Sequence, residues 1–339
     1  MEKILTVAIP CYNSQDYVKR ALESVVHADP QIEVIVVDDG STDGTAAIAK
    51  EYRERFPDVV RYFYKENGGH GDAVVAGFHQ AQGVYYKVLD SDDWINTKAL
   101  RGILSFLKAE YERGKTYDMV IGNYVYEKVG ARHKKEISYG HVLPAEREFT
   151  WKDIGTFALG QYILMHSVIY RTELLLSCGL ELPKHTYYVD NLFVYYPLPF
   201  VKSIYYFDID LYHYFIGRED QSVNEKQLLE RIDQQERVAY TMYGMHELCE
   251  IEEPRLRYYM SQYAVIMAAI CSALYVMKGT DEALKKKREF WETVRTRYAG
   301  QYEYMRRQWL ARATMKEGPL WNRIIRIGYA IAKRIYHFN

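Results

Sequence analysis

Apolar residues in the first 125 positions form short runs that alternate with stretches of helical periodicity. Unbroken apolar runs of about four to eight residues are typical of strands buried on both faces of a sheet. The predicted strands lie at residues 4–9, 32–37, 59–64, 84–89 and 119–125. The predicted helices lie at residues 14–27, 42–56 and 96–113, with another after the glycines at 68, 69 and 71, and Asn13 or Ser14 is expected to cap the first. This alternation predicts an α/β fold with a mostly parallel central sheet and helices on both faces.

The pattern changes twice further along the chain. Residues 130–210 are mixed and aromatic, and the periodicity becomes helical after about residue 224. We therefore predict an α/β domain over residues 1–225 and a helical region over residues 226–339. Residues 258–277 carry no charge and are long enough to cross a bilayer. Their serines, glutamine, tyrosines and alanines favour a buried helix of a bundle over a membrane span.

Charge and cysteine content exclude several classes of protein. The 44 Lys and Arg residues against 45 Asp and Glu give a net charge of -1, which argues against a nucleic-acid binder. The four cysteines are scattered and form no C-x-x-C pair, so a zinc or redox motif is not expected. Residues 4–9 are too short an apolar run for a signal peptide. We expect reduced thiols and a cytoplasmic location.

Carboxylates follow two of the predicted strands. Asp38 and Asp39 come after the strand at 32–37, and Asp90 and Asp92 come after the strand at 84–89. Ligands of open parallel sheets bind beyond the carboxyl ends of the strands. Carboxylates there can hold Mg²⁺ or Mn²⁺, which neutralises a diphosphate. The alternative at either position is a solvated acidic turn that caps the next helix.

Three segments in order carry a family resemblance. They are V-A-I-P-C-Y-N at residues 7–13, V-V-D-D-G-S-T-D at residues 36–43 and L-D-S-D-D-W at residues 89–94. Together they resemble the signatures of glycosyltransferase family 2. The resemblance implies a GT-A fold with a nucleotide-sugar half over about residues 1–125 and an acceptor half over about residues 126–225. It also implies inverting transfer from a UDP-sugar with Mn²⁺ or Mg²⁺ as cofactor.

The resemblance assigns roles to individual residues. Tyr12 would stack on uracil beside Pro10, Asp39 would accept the uracil N3–H, and Asp92 would be the main metal ligand. The implied donor-binding set is Pro10, Tyr12, Asp38, Asp39, Asn67, Gly69, His70, Lys87, Asp90, Ser91, Arg218 and Ser222. The implied metal ligands are Asp92, Asp90 and His213. For the segment that contains His213, Arg218 and Ser222, a plain strand and polar loop is an equal alternative.

The chain departs from the family in two places. Val74 and Val75 stand where many members carry Arg-Asn after the loop at residues 67–71, so His70 or Lys87 would have to contact the diphosphate. A histidine satisfied locally at the helix start is the alternative for His70. Many members carry Glu-Asp where this chain has Val189 and Asp190. The resemblance makes Asp190 the general base for the acceptor hydroxyl, with a helix cap as the alternative.

These features predict a single-addition enzyme. The Q-x-x-R-W motif and the several membrane spans of processive relatives are absent from the sequence. The expected acceptor is a saccharide, in the first place a lipid-linked precursor of a bacterial surface polymer and otherwise a glycoprotein glycan. A nucleotidyltransferase, which would need a glycine-rich loop at residues 11–13, and a non-catalytic scaffold subunit are the competing functions.

The C-terminal segment is basic. Residues 301–339 hold eight Lys or Arg residues against two Glu residues. Apolar residues from Trp321 to Ala332 recur at helical spacing among the basic ones. Such a helix can lie in an anionic membrane surface, so we predict peripheral contact with the cytoplasmic face of the cell membrane. A terminal helix docked on the protein with its charges in water is the alternative.

Overall fold

The computed structural model describes residues 2–128, 130, 134–217 and 224–336, with side chains through residue 333. Two of the predicted donor-binding residues, Arg218 and Ser222, lie outside the described residues. The chain divides into two compact units. The first contains Met1–Gly155 and Ile163–Ile216, and the second contains Thr156–Tyr162 and Gly217–Asn339. The predicted boundary at residue 225 lies a few residues beyond this division.

The first unit is an α/β structure. Its strands are β1 (Leu5–Cys11), β2 (Ile32–Asp39), β3 (Val60–Lys65), β4 (Tyr85–Val88), β5 (Trp94–Ile95), β6 (Met119–Lys128), β7 (Lys135–Ile137), β8 (Glu148–Phe149), β9 (Val168–Arg171) and β10 (Ile204–Ile216). Its helices are α1 (Val18–Val25), α2 (Thr45–Arg55), α3 (His70–Gln80), α4 (Thr97–Glu112), α5 (Thr172–Cys178) and α6 (Asp190–Tyr195). Each predicted strand and helix of the first 125 residues has a counterpart in this set.

The sheet is mixed, with a parallel half. Its order is β3-β2-β1-β4-β9-β6-β10-β5, with β7 paired to β6 and β8 to β10. Strands β1 to β4 are parallel to one another, as predicted. Strand β9 enters antiparallel between β4 and β6. Every residue of β1 and β2 is buried, which explains why both strands are mostly apolar and places the core on both faces of the sheet.

The start of α1 corrects one prediction. Neither Asn13 nor Ser14 caps this helix, which follows Tyr17 without a side-chain cap. Asn13 instead has a positive φ of 50°, and its side-chain oxygen accepts from the main-chain N–H of Thr42. Asparagine tolerates this left-handed conformation because its short side chain bonds locally. The residue therefore joins the end of β1 to the turn after β2.

The second unit is helical. Its helices are α7 (Glu225–Glu230), α8 (Ile232–Met245), α9 (Pro254–Lys278), α10 (Asp281–Arg297), α11 (Ala299–Met305), α12 (Trp309–Met315) and α13 (Pro319–Tyr336). Helix α9 packs against α8, α10, α11, α12 and α13. Among the described residues it is the one helix long and apolar enough to span a membrane, and 78% of its most apolar stretch is buried. This burial agrees with the predicted bundle helix.

A short segment of the α/β sequence belongs to the helical unit. Within Thr156–Tyr162, the ring of Phe157 lies 4.6 Å from that of Tyr259, and the ring of Tyr162 lies 4.6 Å from that of Tyr263. Both partners are on α9. These aromatic contacts hold the segment against the bundle.

Candidate active site

A cavity of about 370 Å³ opens at the carboxyl ends of β1 and β2, next to the loop after β4. Cys11 pairs in register with Asp38, so the two strands end at the same level. Parallel sheets bind ligands at this edge. Seven members of the predicted donor-binding set line the cavity: Pro10, Tyr12, Asp39, Asn67, Gly69, His70 and Ser91.

Three hydrogen bonds hold the Asp39 carboxylate in the wall of the cavity. Its Oδ1 accepts from the Lys65 Nζ at 2.5 Å and from the Gly68 N–H at 2.9 Å, and its Oδ2 accepts from the Gly69 N–H at 2.8 Å. Gly69 has a φ of +87°, and a Cβ there would lie 3.0 Å from the main-chain nitrogen of His185. Oδ2 keeps a lone pair for one further donor, such as a base N–H.

Asp38 has a different environment from its neighbour. It is fully buried, and it accepts hydrogen bonds from the Tyr62 hydroxyl at 2.6 Å and from the Ser41 N–H at 2.8 Å. Successive side chains of a strand point to opposite faces, so only one member of the doublet lines the cavity. Asp38, predicted as a donor contact, does not line the cavity, and its carboxylate shapes the turn after β2.

Asp90 and His70 form an ion pair at the edge of the cavity. The His70 Nε2 lies 2.8 Å from the Asp90 Oδ1. Burial opposes protonation of His70, but the charge of Asp90 outweighs it, so the pKa of His70 lies above its ordinary value. Burial likewise opposes ionisation of Asp90, but His70 and His166 hold the pKa of Asp90 well below its usual range. The raised pKa favours the protonated form of His70, whose ring lines the cavity beside Asp90.

Asp190 begins α6 and belongs to the same electrostatic cluster. Burial raises the pKa of Asp190 above its ordinary value, while the charges of His166 and His70 oppose the rise. Its Oδ1 accepts from the Asn191 side-chain amide at 3.2 Å. A carboxylate with a raised pKa is a stronger proton acceptor, as a general base requires.

Asp90, Asp93 and His166 form a potential metal site. One ligand atom from each lies within 4.8 Å of the other two. The His166 Nε2 is 3.6 Å from the Asp90 Oδ2 and 3.9 Å from the Asp93 Oδ2. These separations are longer than hydrogen bonds and leave room for an ion between the groups. Two carboxylates and one imidazole suit Mn²⁺.

Asp93 is held firmly in this cluster. It is fully buried, its Oδ2 accepts from the Tyr212 hydroxyl at 2.6 Å, and its Oδ1 accepts from the Phe215 N–H at 2.7 Å. Burial and the charges of Asp92 and Asp90 raise its pKa well above the ordinary value. A bound cation would reverse this shift, because it stabilises the ionised carboxylate.

Lys87, predicted to contact the diphosphate, does not line the cavity. Its side chain is fully buried, and its Nζ donates to the carbonyl oxygens of His166 at 2.7 Å and Val168 at 3.3 Å. Burial lowers the pKa of Lys87 to about 7. Lys87 belongs to the buried strand β4, and its amine points toward the start of β9. These hydrogen bonds hold the main chain of the segment that contains His166.

Asp92 and His213 were also predicted to be metal ligands. The three-residue cluster includes neither of them. His213 Nδ1 lies 2.8 Å from the Glu127 Oε1, and its ring stacks on Trp94 at 5.3 Å. Asp92 is half-buried in the loop after β4, where Ser91 Oγ shares a hydrogen bond of 2.8 Å with Ser14 Oγ.

The sequence did not reveal several residues of the site. His166 lies in a short 3-10 turn before β9, and no motif surrounds it. His185, Thr186 and Tyr187 also line the cavity, in the loop before α6. Their only signal in the sequence was proximity to Asp190, since the bond from the His185 N–H to the Gly68 carbonyl joins segments more than a hundred residues apart.

Comparison with known families agrees with this geometry. The family model "Glycosyl transferase family 2" matches residues 6–172, which include β1 to β4, the carboxylates after β2 and β4, and His166. Through this segment the chain belongs to glycosyltransferase family 2. The family 2 chain shares 33% identity over 126 residues with an uncharacterized glycosyltransferase of Mycoplasma genitalium, covering 35% of this chain and 41% of that relative.

A second relative is the poly(ribitol-phosphate) beta-N-acetylglucosaminyltransferase TarS of Staphylococcus aureus. It is 35% identical over 105 residues, which are 30% of this chain and 18% of TarS. The alignments thus span less than half the length of either relative.

Solved structures show the fold over most of the chain. TarS residues 1–349 in complex with UDP-GlcNAc match with a TM-score of 0.63 and 19% identity, over 92% of this chain and 90% of that one. A mannosyltransferase of Pyrobaculum calidifontis in complex with GDP-Man and Mn²⁺ matches with a TM-score of 0.53 and 15% identity, over 93% of this chain and 87% of that one. The fold is GT-A with a C-terminal helical region.

Proposed function

We propose that this family 2 chain is an inverting glycosyltransferase that moves a sugar from a UDP-sugar to a hydroxyl group of a saccharide acceptor. One observation carries the proposal: a single cavity at the strand ends is lined by Tyr12, Asp39 and His70, and His70 is paired with Asp90. In this proposal the Tyr12 ring faces a base and the Asp39 carboxylate accepts the N–H of that base. The protonated form of His70, which its raised pKa favours, faces a diphosphate.

Each group has a chemical task in this proposal. Tyr12 is 56% exposed, which leaves its ring free to stack on a pyrimidine. The Asp39 Oδ2 accepts the base N3–H. Asp190 takes the proton of the acceptor hydroxyl as that oxygen attacks the anomeric carbon, and the nucleoside diphosphate leaves from the opposite face. His70 offsets negative charge on the departing diphosphate.

A divalent ion fits the carboxylates of the site. Asp90 would hold Mn²⁺ or Mg²⁺, either with Asp92, as the family resemblance implies, or with Asp93 and His166, as their separations suggest. When bound, the ion would neutralise charge on the diphosphate. The proposal gains support from the Mn²⁺ in the mannosyltransferase of the same fold.

The donor and acceptor classes follow from the relatives. TarS is named a poly(ribitol-phosphate) beta-N-acetylglucosaminyltransferase, and its structure holds UDP-GlcNAc. We infer a UDP-linked hexose or N-acetylhexosamine as donor. The inferred acceptor is a saccharide of a bacterial surface polymer, in the first place its lipid-linked precursor. Such an enzyme would work in the cytoplasm or at the cytoplasmic face of the membrane.

A screen of UDP-sugars with Mn²⁺ tests the function. The expected products are UDP and, with crude lipid or polysaccharide acceptors, a conjugate one sugar heavier. Release of pyrophosphate instead of UDP would indicate a nucleotidyltransferase. If the protein neither binds UDP nor turns over any donor, a scaffold subunit becomes the better explanation.

A further inference from the structure

The terminal helix α13 carries two apolar stripes. One, the inner stripe, contains Ile325 and Tyr329 and packs on α9, where Ile325 is 6% exposed against Ala273 and Val276. The other, which we call the outer stripe, consists of Leu320, Ile324, Ile327 and Ile331, exposed by 67%, 36%, 52% and 53%. Spacings of four, three and four residues place the outer stripe along one face of a helix. Docking of α13 on the bundle therefore leaves this face uncovered.

The surroundings of the outer stripe are basic. Helix α13 contains Arg323, Arg326, Lys333 and Arg334 and no acidic residue. Arg323 is exposed next to Ile324, whereas Arg326 donates to the Val276 carbonyl and Lys333 pairs with Glu225 at 2.6 Å. These two contacts fix the rotation of α13 about its axis. With α13 held in this rotation, the outer stripe and Arg323 face away from α9.

We propose that the outer stripe of α13 docks on an anionic lipid surface. A row of large aliphatic side chains flanked by a cation, on a helix without acids, is the pattern that inserts into a headgroup layer. A stable protein–protein interface engages about 20–30 residues on each side, far more than this stripe offers. A lipid surface needs no complementary shape. The helix lies in the membrane plane, because its inner stripe stays on α9.

The proposal is independent of the enzyme activity, so its test requires no sugar donor. Full-length protein is floated with phosphatidylcholine vesicles that contain or lack phosphatidylglycerol. We expect flotation with the anionic vesicles at low salt and less at high salt, since salt screens the cationic contribution. The double variant I324Q/I327Q should bind at least about tenfold more weakly, because it removes two aliphatic side chains that contact with lipid would bury.

Two further variants make the test specific. Leu176→Gln changes an aliphatic side chain of similar exposure (47%) on α5 and should bind like the wild type. Arg323→Gln should reduce the preference for anionic over neutral vesicles while the melting temperature stays unchanged. The proposal is overturned if the wild type remains soluble with both vesicles or if I324Q/I327Q binds equally well. Loss of a wild-type dimer in I324Q/I327Q, without vesicle binding, would assign the stripe to self-association instead.

Discussion

The guanidinium of Arg20 donates a hydrogen bond of 2.6 Å to the main-chain carbonyl of Asp92. The same group lies 3.9 Å above the Trp94 ring and 4.6 Å from the Phe215 ring. Arg20, on helix α1, thereby fixes the main chain of the acidic loop after β4. It is a positioning residue, since its contact is with the loop and not with a substrate.

Arg20→Lys should loosen this loop. Lysine cannot stack as a planar fork on Trp94 while it bonds the Asp92 carbonyl. Because losses of supporting contacts around a metal site cost about 10–100-fold, we expect weaker Mn²⁺ affinity in that range. Titration of Mn²⁺ followed by electron paramagnetic resonance measures it. Arg53→Lys, an exposed change on α2, is the matched control, and equal affinities of the two variants would remove Arg20 from the site.

The metal ligands can be separated by substitution. Asp90 belongs to both candidate ligand sets, so Asp90→Asn should abolish measurable Mn²⁺ binding. Asp92→Asn and His166→Gln distinguish the sets, because only the variant that removes a true ligand should lower Mn²⁺ affinity strongly. Isothermal titration in the absence of donor gives the affinities. Unchanged binding in all three variants would place the ion elsewhere.

Asp190→Asn tests the general base. Asparagine keeps the size of the side chain but cannot accept the acceptor proton. Transfer should fall by about two to four orders of magnitude, which is the usual contribution of a positioned base. Binding of UDP, measured by calorimetry, should barely change. A parallel loss of UDP binding would show that Asp190 serves the donor pocket.

Lys287 should make stability depend on pH. Its side chain is buried, 3% exposed, and its Nζ donates to the Lys316 carbonyl at 2.6 Å. Burial lowers its pKa from 10.5 to about 8. The folded state therefore disfavours the charged form of Lys287, which lowers the free energy of unfolding by up to about 3 kcal/mol. This destabilisation is at its full value below pH 8, declines as the pH rises and vanishes above about 10.5.

Lys287→Met removes this cost. The free energy of unfolding of the wild type should therefore rise relative to Lys287→Met between neutral pH and about pH 10. Urea unfolding at the two pH values measures the difference. Lys285→Met replaces a lysine that is 68% exposed and should show no such trend. A constant difference between wild type and Lys287→Met across this range contradicts the assignment.

The parallel half of the sheet could be predicted because its inner strands, β1, β2 and β4, are buried on both faces. Burial made these strands mostly apolar, and the carboxylates that follow β2 and β4 marked the cavity edge. The separate roles of Asp38 and Asp39 could not be read from the doublet, since they depend on Tyr62 and on the glycines at 68 and 69. The place of His166 in the site could not be predicted, because it depends on the pairing of β9 with β4 and β6, which brings His166 to Asp90 and Asp93.

The position of β9 also affects how the chain assembles. Strands β1 to β4 come from residues 5–88 and can pair as they leave the ribosome, but β4 waits for its second neighbour until residues 168–171 have been synthesised. Pairing of strands distant in sequence is slow, because a long loop must close first. Until then one edge of β4 stays open to other nascent chains. The same pairing brings His166 to Asp90 and Asp93, so these three residues come together in the step that joins β4 to the rest of the sheet.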